Sequence, residues 1–128
     1  MSAPKLTLSK STSKEEFFGK LFQVRDQIHL AHLSSKSYAQ HIALGDFYDG
    51  LLELTDSVIE GYQGKYGIIK ISIPQSVTSD PIQLIRSLAQ MTDNGLVYSS
   101  FQETWIQNQL DEISVLCYKA IYKLENLK

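Results

Sequence analysis

The chain has 128 residues, of which 43% are hydrophobic and 20% are charged, and its formal net charge is −2 at pH 7. This length accommodates one hydrophobic core but not two, so we expect a single domain. With this net charge the protein has no overall positive field that would attract nucleic acid. The single cysteine excludes an internal disulfide. No apolar run approaches the ~20 residues of a membrane span. We therefore expect a cytoplasmic protein, either cellular or made by a virus inside its host.

Residues 1–12 are rich in serine, threonine and lysine and are predicted to form a flexible arm, without the apolar centre of a signal peptide. Lys5, Lys10 and Lys14 make this region mildly basic. Three lysines provide little affinity for phosphates at physiological salt, so nucleic-acid binding is expected to be weak at most. Residues 13–128 are predicted to form the folded domain.

A first helix is predicted from Ser13 to about Leu33. Ser13-Lys-Glu-Glu16 is typical of a capping box, in which a serine oxygen and a glutamate three residues later satisfy free backbone amides. Apolar residues then recur at helical spacing, and they share their stripe with a histidine. The members of this stripe are Phe17, Leu21, Val24, Ile28, Ala31 and His32.

A second helix is predicted from about Tyr38 to Tyr62, with Gly61 and Gly64 as stop signals. Its apolar face is broad, and His41 lies on it. Along one edge of this face runs an acidic ribbon, which on base rates is a solvated helix surface. The apolar face contains Leu44, Tyr48, Leu51, Leu52, Thr55, Val58, Ile59 and Tyr62, and the ribbon contains Asp49, Glu53, Asp56 and Glu60.

The remaining chain predicts a short extended crossing and two more helices. Isoleucines alternate with polar residues over 69–73, which is typical of an extended segment. A third helix is predicted from Asp80-Pro81 to about Met91, before a break at 93–95. The last helix is predicted to begin near Ser99 or Ser100, with Glu103 three residues further on. The expected architecture is all-α, a four-helix-type bundle with a crossover between helices 2 and 3.

Histidines and carboxylates on facing helices are the usual ligands of iron, manganese or zinc in such bundles. Three histidines, His29, His32 and His41, fall within thirteen positions. No Glu-x-x-His occurs anywhere in the chain, and Asp26-x-x-His29 is the nearest substitute. A conventional di-iron centre within one subunit is therefore not expected.

The central stretch resembles the mini-ferritins, the DNA-binding proteins from starved cells (Dps), a branch of the ferritin-like superfamily. His29 and His41 are twelve residues apart, and Asp56 and Glu60 are four apart, as in that family's ligand pattern. The family's third ligand position falls on Gly45, which has no side chain to coordinate a metal. The family's His-Trp-Asn is replaced by His29-Leu-Ala.

The resemblance implies an iron site, or a zinc or manganese site, at the interface of a homo-oligomer of two or more subunits. Its ligands would be His29, His41, Asp56 and Glu60, with Asp49 in place of the missing carboxylate. Oxidation of ferrous iron is implied as well, and it is expected to be weak or absent because one carboxylate is lacking.

Two alternatives stay open beside the metal site. A histidine on an apolar helix face is more often a core residue bonded to a neighbour than a metal ligand. The C-terminal run LDEISVLCYKAIYKLENLK also resembles small helical proteins of tailed phages. The second hypothesis is therefore a non-catalytic helical module for binding or structure, encoded by a phage, that kept the bundle without the metal chemistry. A buried, inert thiol is expected at Cys117, which lies on the core stripe of the last helix.

Overall fold

The computed structural model describes residues 13–76, 80–93 and 95–127. Within these ranges the chain forms four helices of twelve residues or more and one short helical turn. The arm predicted for residues 1–12 lies outside the described residues. The elements are α1 (Lys14–Ser34), α2 (Tyr38–Tyr66), α3 (Pro81–Thr92), α4 (Leu96–Ser100) and α5 (Thr104–Asn126).

The predicted starts of α1 and α3 are confirmed, and each has a side-chain cap. At α1, the Ser13 hydroxyl accepts a hydrogen bond from the Glu16 amide while the Glu16 carboxylate accepts one from the Ser13 amide, both at 3.0 Å. At α3, the Asp80 carboxylate accepts hydrogen bonds from the amides of Ile82 and Gln83. These caps satisfy amides that have no partner inside the helix, and they therefore fix where each helix begins.

The predicted end of the second helix at Gly61 or Gly64 is wrong, because α2 continues to Tyr66. The helix ends instead at Gly67, whose φ of 98° is a backbone conformation that favours glycine. Gly61 has a packing role. A Cβ atom there would lie 3.0 Å from Cζ3 of Trp105, so the absent side chain makes room for the indole ring.

The predicted start of the last helix near Ser99 or Ser100 is also wrong. Residues 96–100 form the separate short helix α4, and α5 begins at Thr104 with Glu103 as its N-terminal capping residue. The described part of the region between α2 and α3, residues 67–76, contains neither a helix nor a β-strand.

The helices α1 and α2 form an antiparallel hairpin joined by residues 35–37. Contacts between them run in opposite order along the two helices. His32 meets His41 near the turn, whereas Phe18 meets Tyr62 far from it. The two helices therefore pack along most of the length of α1.

The helix α5 lies antiparallel to both α2 and α3, and α1 also contacts α3. The four long helices thus run up, down, down and up, and the extended crossover joins the two that run in the same direction. This confirms an all-helical bundle with a crossover between α2 and α3. The contacts that give this order are Asp46–Lys123, Ser57–Gln109 and Lys65–Glu103 between α2 and α5, and Thr92–Ser114 and Arg86–Glu125 between α3 and α5.

Most members of the predicted apolar stripes are buried, and further buried residues lie outside them. Phe17, Leu21 and Val24 are fully buried, as predicted for α1. Phe18 and Phe47, which are not members of the stripes predicted for α1 and α2, are also buried. The reason is that α1 packs against α2 and α3, and α2 against α1 and α5, so each buries a wider face than one stripe supplies.

The crossover lies against α1. A Cβ atom at Gly19 would collide with the carbonyl oxygen of Ser72, so only glycine allows this approach. One turn further along α1, the Gln23 side-chain amide donates a hydrogen bond of 2.6 Å to the carbonyl oxygen of Gln75. The Gln23 side chain is buried, and this bond therefore satisfies a polar group that is removed from water.

The carboxylate of Glu103 joins the end of α2 to the start of α5. It is 6% exposed, it pairs with the ammonium group of Lys65 at 2.8 Å, and it accepts a hydrogen bond from the hydroxyl of Tyr66. The hydrogen bond from Lys65 is the main cause that lowers the pKa of Glu103 to about 2, and the bond from Tyr66 adds to it. The same contacts raise the pKa values of Lys65 and Tyr66.

We predict that Glu103→Gln destabilises the protein at neutral pH and loses this effect in acid. Because the folded-state pKa lies below the ordinary value of 4.5, the ionised carboxylate stabilises the fold above that value and loses its contribution as the pH falls towards about 2. Urea denaturation of both proteins at several pH values measures the difference in the free energy of unfolding.

Glu125→Gln is the matched control, because Glu125 pairs with Arg86 on the surface, where both side chains are nearly half exposed. Such a pair contributes about 0–1 kcal/mol. A Glu103→Gln effect that is no larger than this control, or that does not shrink in acid, would contradict the role of Glu103.

Candidate functional site

The three histidines lie together in the α1–α2 hairpin, packed with Tyr48. His29 and His32 lie on the last turns of α1, and His41 and Tyr48 lie on the first turns of α2. All four side chains are half-buried. The residues singled out from the sequence as unusual therefore form one cluster, which we call the histidine cluster.

The rings of His32 and His41 stack on each other, with centroids 3.7 Å apart and planes 20° apart. Their hydrogen bonds are reciprocal. Nδ1 of His32 contacts the carbonyl oxygen of His41 at 2.6 Å, and Nδ1 of His41 contacts the carbonyl oxygen of His32 at 2.8 Å. Since a carbonyl oxygen can only accept, each Nδ1 carries a hydrogen and donates it. The two histidines thus tie the end of α1 to the start of α2.

This arrangement limits what the pair can do as metal ligands. Each Nδ1 is engaged with a carbonyl, so only Nε2 of each ring remains for a ligand. The lone pair of an imidazole nitrogen lies in the ring plane, and the planes of His32 and His41 are stacked nearly parallel. The two Nε2 lone pairs therefore point along nearly parallel planes and do not meet at one ion. His41 matches the core-histidine alternative, bonded to its neighbour.

Gly45, which occupies the third ligand position of the mini-ferritin pattern, has a steric role beside His32. A Cβ atom at residue 45 would lie 2.9 Å from Cε1 of His32 and 3.0 Å from its Nδ1. The His32 ring thus lies in the space that any side chain at position 45 would need, and the glycine allows α1 and α2 to approach with the imidazole between them.

His29 stacks on Tyr48, with ring centroids 4.0 Å apart and planes 15° apart. The guanidinium carbon of Arg25 also lies over the Tyr48 ring, 5.5 Å from its centre. Among the described residues, His29 makes ring contacts but no hydrogen bond, so its nitrogens are available to solvent or to a ligand. Asp26, the other member of the Asp-x-x-His pattern, pairs with Arg25 at 3.0 Å.

Of the predicted carboxylate ligands, Asp56 and Glu60 lie away from the histidine cluster in the same chain, whereas Asp49 directly follows Tyr48. Asp49, Asp56 and Glu60 are all exposed on α2. At 1.5 Å per residue, Asp56 lies about 22 Å along the helix from His41. Among the described residues, no three histidine, cysteine, aspartate or glutamate side chains are grouped to hold a metal ion. The two halves of the predicted ligand set could meet only across two subunits.

Cys117 is buried on the inner side of α5, as the sequence predicted. Burial raises the pKa of its thiol to about 12, so the reactive thiolate is scarce at neutral pH. This excludes Cys117 as an activated nucleophile.

No helix in the described part of the chain is long and apolar enough to cross a membrane.

Two open grooves on the surface of α5 were not found from the sequence. One, of about 320 Å³, lies between α5 and α2 beside Leu54 and Leu116, and the other, of about 540 Å³, lies between α5 and α3 beside Tyr118 and Tyr122. The sequence does contain a signal for these grooves, since apolar residues recur on a second side of α5, outside its core stripe. It could not be separated from the core stripe until the packing partners of α5 were known.

Comparison with known proteins gives a family and a phage relative. A family model described as a family of unknown function (DUF5856) matches residues 32–124. The chain is 27% identical, over 118 residues covering 90% of both proteins, to the uncharacterized 14.6 kDa protein in the mobD–ri intergenic region of Enterobacteria phage T4. No solved structure matches the chain. The resemblance to tailed-phage proteins is thus supported, while none of these matches is a mini-ferritin.

We predict that a side chain at position 45 acts through His32. Replacing glycine by alanine inside a helix ordinarily raises the free energy of unfolding by up to about 1 kcal/mol. Forced repacking at a crowded site lowers it by roughly 1–3 kcal/mol. Gly45→Ala should therefore be less stable than the wild type by roughly 1 kcal/mol in urea denaturation, because the tied His32 ring cannot move away without losing its contacts.

Gly64→Ala is the matched control on the same helix, since a Cβ atom there meets nothing within 4 Å. This control should be neutral or stabilising. In the His32→Ala background, Gly45→Ala should lose its penalty, because the obstructing ring is gone. Equal effects of Gly45→Ala in both backgrounds would refute the steric role of His32.

Proposed function

We propose that this chain, which belongs to the DUF5856 family, is a helical binding module that works in a phage-infected cell through contacts with macromolecules. The phage relative covers nearly the whole chain and supports the setting. The main support for a binding module over a metal site is the pairing of His32 with His41. The reciprocal bonding and stacking of His32 and His41 engage one ring nitrogen of each and bring the rings nearly parallel, which gives both residues a role in packing the hairpin.

The distribution of polar groups supports the same proposal. The carboxylates of the acidic ribbon are exposed and, among the described residues, form no ion pair, as expected of a solvated helix face. The buried hydroxyls of Thr92 and Ser114 hydrogen-bond to each other and join α3 to α5. Two concave surfaces on α5 are open and mostly apolar, and such grooves suit another protein surface better than a small substrate.

A metal site shared between two subunits is the second candidate, and the availability of His29 favours it. His29 has unbonded ring nitrogens among the described residues, and Asp56 and Glu60 are exposed four residues apart on one side of α2. Four long helices with one crossover are compatible with the mini-ferritin resemblance. In this alternative the ligands of one subunit would be completed by the acids of another.

Metal content and ferrous-iron oxidation separate the two candidates. We expect protein purified without chelators to contain substoichiometric iron, zinc and manganese, measured by mass spectrometry of the metals, and to oxidise ferrous iron under air no faster than buffer. His29→Ala, which removes the available imidazole, should change neither result. Stoichiometric metal that is lost in His29→Ala, or oxidation clearly above buffer, would refute the binding-module proposal and favour the shared site.

Replacement of the ribbon acids tests the same distinction through stability. Asp56→Asn and Glu60→Gln should change the free energy of unfolding by less than about 0.5 kcal/mol, because both side chains are exposed. Tyr48→Ala should destabilise by roughly 1–3 kcal/mol, since Tyr48 supports the imidazole rings. Urea denaturation with and without added zinc measures all three. A zinc-dependent stabilisation that the amide variants abolish would contradict the proposal.

A further inference from the structure

We propose that the outer face of α5 is a two-fold interface at which a second copy of this chain packs with its α5 antiparallel. The face consists of Asp111, Val115, Tyr118, Lys119 and Tyr122, which we call the α5 ridge. This inference concerns self-association, and it stands independently of the binding-module proposal.

The α5 ridge is exposed and largely apolar. Val115 is 57% exposed, Tyr118 is 45% exposed and Tyr122 is 60% exposed. Their spacing of three and four residues places them on one side of the helix, the side opposite the buried Ile113, Cys117 and similar core residues. A row of apolar side chains on the solvent side of a helix, in addition to its core stripe, is typical of a second packing surface.

A groove runs along each flank of the ridge. Asp111, Val115 and Lys119 line both grooves, so they form the crest between them. Leu54 of α2 and Leu116 line one groove, and Tyr118 and Tyr122 line the other. A ridge flanked by grooves is the shape that a second ridge can enter, because helices pack by placing the ridge of one into the groove of the other.

The charges on the α5 ridge favour a second copy of this chain as the partner. Asp111 lies four residues before Val115, and Lys119 lies four residues after it. If a two-fold axis passes at Val115 and the helices are antiparallel, Asp111 of each copy faces Lys119 of the other. A two-fold interface requires such self-complementarity, since each contact occurs twice. A parallel arrangement would instead oppose identical charges.

The acidic end of the ridge is reinforced and held in place. Glu112 adjoins Asp111 and lines the groove beside α2, so two carboxylates would lie near the facing Lys119. Burial and the neighbouring Asp111 carboxylate raise the pKa of Tyr98, and the Tyr118 hydroxyl donates a hydrogen bond of 2.9 Å to Asp93. Among the described residues, neither Asp111 nor Lys119 belongs to an ion pair, so both charges are available to a second copy.

An exposed apolar surface at one end of the bundle lacks this charge pattern. Tyr38, Ile42 and Leu127 surround a groove at the end of the bundle, between the start of α2 and the end of α5. The charges that border it, Asp46 and Lys123, already pair with each other at 3.7 Å within the chain. This second surface therefore offers no charge pattern that selects a copy of the chain.

The test is the mass of the full chain in solution over a range of concentrations, measured by light scattering and analytical ultracentrifugation. The wild type should associate reversibly to twice the 14.5 kDa chain mass. In the Lys119→Glu variant, each facing pair of residues 111 and 119 would consist of two carboxylates. In the Asp111→Lys variant, each facing pair would consist of two ammonium groups. Each variant should weaken dimerisation at least tenfold, because like charges across an interface are strongly unfavourable.

Mixing the two variants gives the sharpest result. A dimer of one Lys119→Glu chain and one Asp111→Lys chain restores attraction at both facing pairs, so an equimolar mixture should dimerise although neither variant does so alone at the same concentration. Val115→Asp should abolish dimerisation in both the wild type and the mixture, because a charge is then buried at the axis.

Lys70→Glu is the matched charge control, since Lys70 is an exposed lysine in the crossover. It should leave the dimerisation constant unchanged, and circular dichroism should show equal helix content in all variants. A monomeric wild type at high micromolar concentration would overturn the proposal. So would an assembly that Lys119→Glu leaves intact, a mixture that fails to recover, or a control that weakens association as much as Lys119→Glu does.

Discussion

The mutual bonding of His32 and His41 is the constraint on which the candidate site depends. It fixes the distance between α1 and α2 beside their turn, with the His32 ring lying where a side chain at position 45 would be. Two stacked imidazoles are polar groups that satisfy each other through backbone carbonyls, so they can be half-buried without a metal. The feature that most suggests metal chemistry in the sequence is thus also a feature that packing of the hairpin explains.

The other end of α2 is fixed by a different interaction. The carboxylate of Glu103 ties the last turn of α2 to the first turn of α5 through Lys65 and Tyr66. The histidine cluster joins α2 to α1 near one end, and this ion pair joins α2 to α5 at the other. The outer side of α5 is open, because α5 packs on α2 and α3 with its inner side.

The chain belongs to the DUF5856 family, a family of unknown function, and is similar to an uncharacterized protein of phage T4. One helical bundle supports many functions, so the role must be argued from the surface and the site. Here His32 and His41 pack the hairpin, the ribbon acids are exposed, and the apolar grooves flank a helix with a self-complementary charge pattern. The proposals of a binding module and of self-association rest on these three features.

The sequence by itself determined that four long helices form, because apolar periodicity and the Ser13 and Asp80 caps are local signals. It also determined that Cys117 is buried. It did not predict the short helix α4. It misplaced the end of α2 and the start of α5, since Gly61 serves the packing of Trp105, and Glu103 serves an ion pair that only long-range contact creates. The metal-ligand pattern of His29, His41, Asp56 and Glu60 stays a prediction. Only the tertiary structure decided that His32 fills the space at Gly45, because spacing along one helix does not specify which ring of its neighbour lies against it.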